Sequence, residues 1–121
     1  MKINSKTKYC NNYITDPDKY KISERVRVLP IQEIIDKRNS DDVQVIVKNN
    51  VIYMLSKNDP ESYTLPQETH ICGLTFYNNH YSDKICRIIS IEDDGDCLPI
   101  QIETEDGRYL RWIHQIFLDK I

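Results

Sequence analysis

A mainly β fold follows from three features of the sequence. Alanine, the best helix former, is absent, whereas isoleucine occurs 18 times and tyrosine eight times, and both favour strands. β-Branched residues recur at the period of two expected of half-buried strands. The runs are punctuated by Asn49-Asn50, Asp94-Gly95 and Asp106-Gly107, dipeptides that turn a chain back on itself. With 121 residues there is material for one core and not for two.

Residues 1–20 are polar, with Asn11-Asn12 and Asp16-Pro17-Asp18 as turn signals, and read as an N-terminal arm. In the run 24–29, Val26 and Val28 alternate with Arg25 and Arg27, a strand with one buried face. Pro30 suits the first turn of a helix, and Ile31, Ile34 and Ile35 place one apolar stripe on it through Lys37 or Arg38. Val43–Val47 and Val51–Leu55, joined through Lys48-Asn49-Asn50, predict a hairpin. That hairpin is apolar on both faces, so it must be covered on both sides or self-associate, which makes it a possible homo-oligomer contact. Residues 56–66 hold Asp59-Pro60 and Leu65-Pro66 and read as loop. A short strand over 71–76 follows, then a loop through Asn78-Asn79. Strands are expected over 84–91, 98–104 and 108–113, then one helical turn over 114–118 and a closing strand.

The order of these elements resembles an SH3-like small barrel. Lys21–Val28 resembles the opening strand of the SH3-like modules common in bacteriophage and bacterial proteins and in mind-bomb-type repeats. Tyr81–Ile88 resembles their second strand, and Gly95, Asp106-Gly107 and Trp112 through Leu118 resemble their closing hairpin, tryptophan and terminal leucine. The resemblance covers residues 21–29 and 74–121, with Ser23 and Asp83 standing where the pattern has glycine. It implies a single SH3-like domain over 21–121, with an insertion at about 30–73 that carries a short helix and a β-hairpin. Such modules are mostly non-catalytic adaptors, and the fold does not fix a partner.

Charge is unevenly spread. Residues 1–40 carry nine Lys or Arg against five acids, and residues 41–121 carry seven against 14. The stretch 92–106 holds Glu92, Asp93, Asp94, Asp96, Glu103, Glu105 and Asp106 with no Lys or Arg. Asp93, Asp94, Asp96, Glu103, Glu105 and Asp106 are therefore the candidate partner-binding residues, an acidic surface that would dock on a basic one. A formal charge of −3 argues against a nucleic-acid-binding barrel, since phosphate contacts need clustered positive charge. No apolar run approaches the ~20 residues needed to span a bilayer, and the N-terminus has no apolar leader. The expected setting is therefore the cytoplasm, with no membrane partner. The bias towards Ile, Asn, Lys and Tyr suits an A/T-rich genome, such as that of a low-GC bacterium or of a virus infecting one.

Signals for catalysis and cofactors are missing. Cys10, Cys72, Cys86 and Cys97 form no CxxC pair, so reduced thiols and no metal are expected. His70, His80 and His114 belong to no recognisable catalytic motif, and three glycines are too few for a phosphate cradle. Phe76-Tyr77 through His80-Tyr81, with Tyr109 and Trp112, concentrates aromatic residues. In one reading Phe76 and Trp112 plug the core while the tyrosines cover its rim. In another, Tyr77, Tyr81, Arg108, Tyr109 and Arg111 form a ligand-binding cluster for a small molecule such as a nucleotide. The sequence thus predicts a non-enzymatic protein-binding module without cofactor. The hypothesis is a phage or prophage anti-defence inhibitor of a host protein in a bacterial cell, with nucleotide sequestration as the alternative and, on the basic first forty residues, a nucleic-acid-binding barrel as the second alternative.

Overall fold

The computed structural model describes residues 19–40, 43–56, 67–92 and 98–121. Most of the 1–20 arm, the 57–66 loop and Asp93, Asp94 and Asp96 lie outside the described residues. The architecture is mainly β, with two sheets and two helices. In chain order the elements are β1 (Arg25–Val28), α1 (Ile31–Lys37), β2 (Val43–Lys48), β3 (Val51–Ser56), β4 (Gln67–Gly73), α2 (Leu74–His80), β5 (Ile85–Ile91), β6 (Ile100–Thr104) and β7 (Leu110–Ile113). A 3-10 turn (Gln115–Phe117) then leads into β8 (Leu118–Lys120).

One antiparallel sheet has the strand order β7-β6-β5-β1-β8 and the other β2-β3-β4. β1 buries Val26 and Val28 and turns Arg25 and Arg27 outward, as alternation requires. Ser23 and Asp83, the two positions where glycine was expected, both have positive φ, at 76° and 61°. Each is held by a short backbone bond, Ser23 N–H to the Ile88 carbonyl and Asp83 N–H to the Val28 carbonyl, both at 2.7 Å. Arg27 adds a bond from Nε to Asp83 Oδ1 at 2.8 Å. These contacts offset the steric cost that a side chain meets in the left-handed region.

Between β1 and β5 the chain builds α1, the three-stranded sheet and α2, one helix more than the sequence suggested. The short strand expected over 71–76 is instead the end of β4 followed by α2, so the aromatic run expected in a loop lies on a helix and the turn after it. Leu74, Tyr77 and Tyr81 recur at helical spacing and face the core. Thr75, Phe76 and Tyr77 favour strands, and seven residues are too few for the helical period to outweigh that composition. The core assignment of the aromatics is also reversed. Tyr77 and Tyr81 are fully buried, while Phe76 and Trp112 are half-buried. Tyr77 tolerates this because its hydroxyl donates to the Leu29 carbonyl at 2.7 Å.

The 43–55 hairpin buries one face, through Val43, Val45, Ile52 and Met54, and leaves Ile46, Tyr53 and Leu55 half-buried on the other. The residues after α1 join both sheets. Arg38 Nη1 donates to the Leu118 carbonyl of β8 at 3.1 Å and Nη2 pairs with Asp119 at 3.2 Å. The Asn39 amide pairs with both backbone groups of Val45, at 2.8 and 3.1 Å, and the Ser40 N–H donates to the Val43 carbonyl at 2.9 Å. On the opposite side Arg111 Nη1 of β7 donates to the Ile71 carbonyl of β4 at 2.7 Å. Among the described residues no helix is long and apolar enough to cross a membrane.

Candidate functional site

An open cleft of about 480 Å³ lies between the end of α2, the start of β5 and the β6–β7 turn. It is lined by Asn79 and His80 at the end of α2, by Lys84 and Ile85 at the start of β5, and by Thr104, Glu105, Asp106 and Tyr109 at the β6–β7 turn. The β6–β7 turn is shaped by its own sequence. Gly107 takes a φ of 74°, and Asp106 Oδ1 accepts from Thr104 Oγ1 at 2.7 Å and from the Arg108 N–H at 3.0 Å. Those two bonds stabilise the charged carboxylate and hold Asp106 below its ordinary range, the Thr104 hydroxyl contributing most. Glu105 pairs with Arg25 Nη2 at 2.7 Å, but both side chains are more than half exposed, so the pair is screened and adds little stability.

An aromatic cluster lies beside the cleft. Phe76 lies 4.6 Å from His80 and 5.1 Å from Tyr109, nearly perpendicular to the latter, and His80 lies 4.4 Å from Tyr109. Arg111 sits 5.7 Å from the Phe76 ring and 5.8 Å from the Tyr81 ring, within cation–π reach of both. Arg108 lies 5.8 Å from the Tyr109 ring. Among the described residues the buried Tyr81 Oη and Arg111 Nε meet no partner at full hydrogen-bond geometry, and while burial raises the Tyr81 hydroxyl, the adjacent Arg111 guanidinium opposes that rise.

Of the acidic residues singled out in the sequence, Glu105 and Asp106 line the cleft. Glu103 lies on β6 between Arg87 and Leu110, outside it. Of the proposed ligand cluster, Tyr81, Tyr109 and Arg111 gather around Phe76. Tyr77 and Tyr81 are 0% exposed, so neither offers a ligand any surface. Asn79, Lys84 and Thr104 line the cleft and were not foreseen. Lys84 carried the one usable signal, a cation opening a predicted strand, whereas Asn79 depends on α2 being a helix.

Burial raises the Cys72 thiol, and burial together with nearby Glu105 and Asp106 pushes Cys86 up to about 12, so both thiols stay protonated at neutral pH. The His114 side chain accepts the Ile116 N–H through Nδ1 at 2.9 Å and so caps the 3-10 turn. Among the described residues no group of three or more His, Cys, Asp or Glu could hold a metal ion. No protein-family model, curated protein or solved structure matches the chain.

Proposed function

We propose that the chain is a non-enzymatic protein-binding module, built on an SH3-like barrel, that engages a basic segment of a partner protein. The cleft carries this reading: Glu105 and Asp106 line it at the β6–β7 turn, with Tyr109 and His80 supplying aromatic surface. A cationic side chain gains there from two carboxylates and from aromatic faces at once. The barrel reading draws support from the β8-β1-β5-β6-β7 order, the 3-10 turn before the last strand and the positive φ of Ser23 and Asp83. The A/T-rich composition fits a low-GC bacterium or a virus infecting one, and in this reading the chain is a phage or prophage accessory protein that inhibits a host protein.

The test is native mass spectrometry of the tagged chain recovered from a bacterial lysate, alongside the Glu105→Lys variant. A retained second polypeptide whose occupancy drops in Glu105→Lys, and drops with added salt, is the expected result. A bare chain, or a complex indifferent to both, contradicts the reading. An added mass of a few hundred daltons would instead favour the small-molecule alternative.

A further inference from the structure

The two sheets present four edges, and three are guarded. On β2, Asn39 and Ser40 occupy the outward backbone groups of Val45 and Val43. On β8, Arg38 occupies the Leu118 carbonyl. β4 has a register shift opposite Ile52/Tyr53, carries Glu68 and gives its Ile71 carbonyl to Arg111. Bulges, charges and side-chain plugs of this kind stop a strand from recruiting another chain.

β7 carries one charge, Arg111, whose guanidinium turns inward to the Ile71 carbonyl, but among the described residues it has no bulge and no side chain plugging its outward backbone groups. The Thr104 N–H donates to the Tyr109 carbonyl at 3.0 Å, so by alternation Arg111 and Ile113 are the residues hydrogen-bonded to β6. The N–H and C=O groups of Leu110 and Trp112 therefore point away from β6, and no described residue bonds them. Leu110 is 51% exposed, an unusual placement for a leucine within a strand, and Trp112 is half-buried beside it on the same face. Arg108 and Arg111 make no ion pair with any described residue.

We propose that β7 is a β-augmentation site, where an acidic, extended segment of a partner protein adds as a sixth strand on the backbone of Leu110 and Trp112. This rests on the protein-binding reading and supplies a second, separate contact. Charge selects the occupant. A second copy pairing antiparallel so that Leu110 meets Trp112 of the copy, the register that uses all the open groups, would set Arg111 directly against the copy's Arg111. Like charges so placed repel, whereas an Asp or Glu on the incoming strand attracts Arg111. Backbone bonds supply affinity in this mode, and the alternate side chains over Leu110 and Trp112 supply selectivity.

The test follows amide hydrogen exchange of the full chain by NMR with an alternating valine–aspartate peptide of about eight residues, a length that spans an edge strand. The control is the same peptide with lysine for aspartate. The acidic peptide should slow exchange at Leu110 and Trp112 by about tenfold or more, and the lysine peptide should not. Leu110→Pro removes one outward donor and leaves the β6 ladder and Trp112 fluorescence intact, so it should abolish the effect. Should that variant fail to fold, Leu110→Lys keeps the backbone and should weaken peptide binding about tenfold by placing a gatekeeper on the edge. Unchanged exchange at both amides with the acidic peptide overturns the proposal. If the lysate complex still forms with the wild-type chain, only the edge assignment has failed, and if it does not, the protein-binding reading has failed with it. Slowed exchange without peptide, together with a doubled mass, gives the edge to a second copy and also overturns the proposal.

Discussion

The two sheets solve the same burial problem and leave different surfaces open. In the five-stranded sheet Val26, Val28, Cys86, Ile88, Ile102 and Ile113 are all 0% exposed, and the opposite face carries Arg25, Arg87, Gln101 and Glu103. That face is solvated, but among the described residues nothing bonds the outward backbone of the β7 edge. The three-stranded sheet has the reverse arrangement. Its β2 edge is plugged by Asn39 and Ser40, while its outer face shows Ile46, Tyr53 and Leu55. Lys48 partly shields that face by pairing with Glu68 at 2.6 Å and lying 4.8 Å from the Tyr53 ring centre. Face polarity and edge protection are therefore separate devices, and this chain spends each where the other is lacking. A bare edge on an otherwise solvated sheet is a place where another chain can dock without a large exposed apolar patch.

The comparison breaks if the two sheets unfold independently, and large core truncations test this. Phe117→Ala, at the joint of the 3-10 turn and β8, should cost about 3–5 kcal/mol, and Met54→Ala in β3 about 2–5 kcal/mol, because both side chains are fully buried. Each should shift one cooperative transition in calorimetry, and two separable transitions would mean two units. Asn39→Ala should cost about 1–3 kcal/mol by stripping the Val45 backbone of its partners. It should also raise self-association with concentration in analytical ultracentrifugation, since it opens the β2 edge. Tyr77→Phe should cost a similar or smaller amount, about 1–2 kcal/mol, by leaving the buried Leu29 carbonyl unpaired. Glu105→Lys should change stability by less than about 0.5 kcal/mol while weakening partner binding, which separates the site from the scaffold.

The smallest effect concerns acid. The folded chain holds Asp106 below its ordinary range, so its contribution is complete above the unfolded carboxylate value, about pH 4, and fades as pH falls through the folded one. Denaturant titrations between about pH 5 and pH 2 should show less acid sensitivity in Asp106→Asn than in the wild-type chain. Equal sensitivity would mean the β6–β7 turn does not depend on that charge.

The strands of the five-stranded sheet were legible because each carries its own signal. Val26 and Val28 alternate with arginines, Ile100 and Ile102 alternate with polar residues, and Asp106-Gly107 marks the turn. The helix α1 announced itself through Ile31, Ile34 and Ile35. α2 did not, because its residues favour strands and its length gives the helical period under two full turns. The acidic part of the cleft lining was visible as Glu105 and Asp106, but the part at α2 and β5 was not, since Asn79, His80 and Lys84 converge only after α2 forms. The edge plugs were equally hidden, because Arg38, Asn39 and Ser40 look like an ordinary helix end and act on strands 6 and 80 residues away in sequence.

The most direct test of the guarded-versus-open distinction is native-state hydrogen exchange of the free chain. The Val45 amide, bonded to Asn39 Oδ1, should exchange at least about a hundredfold more slowly than the Leu110 and Trp112 amides on the bare β7 edge. Comparable protection at all three would contradict the account, because it would mean that β7 is already covered or that β2 is not.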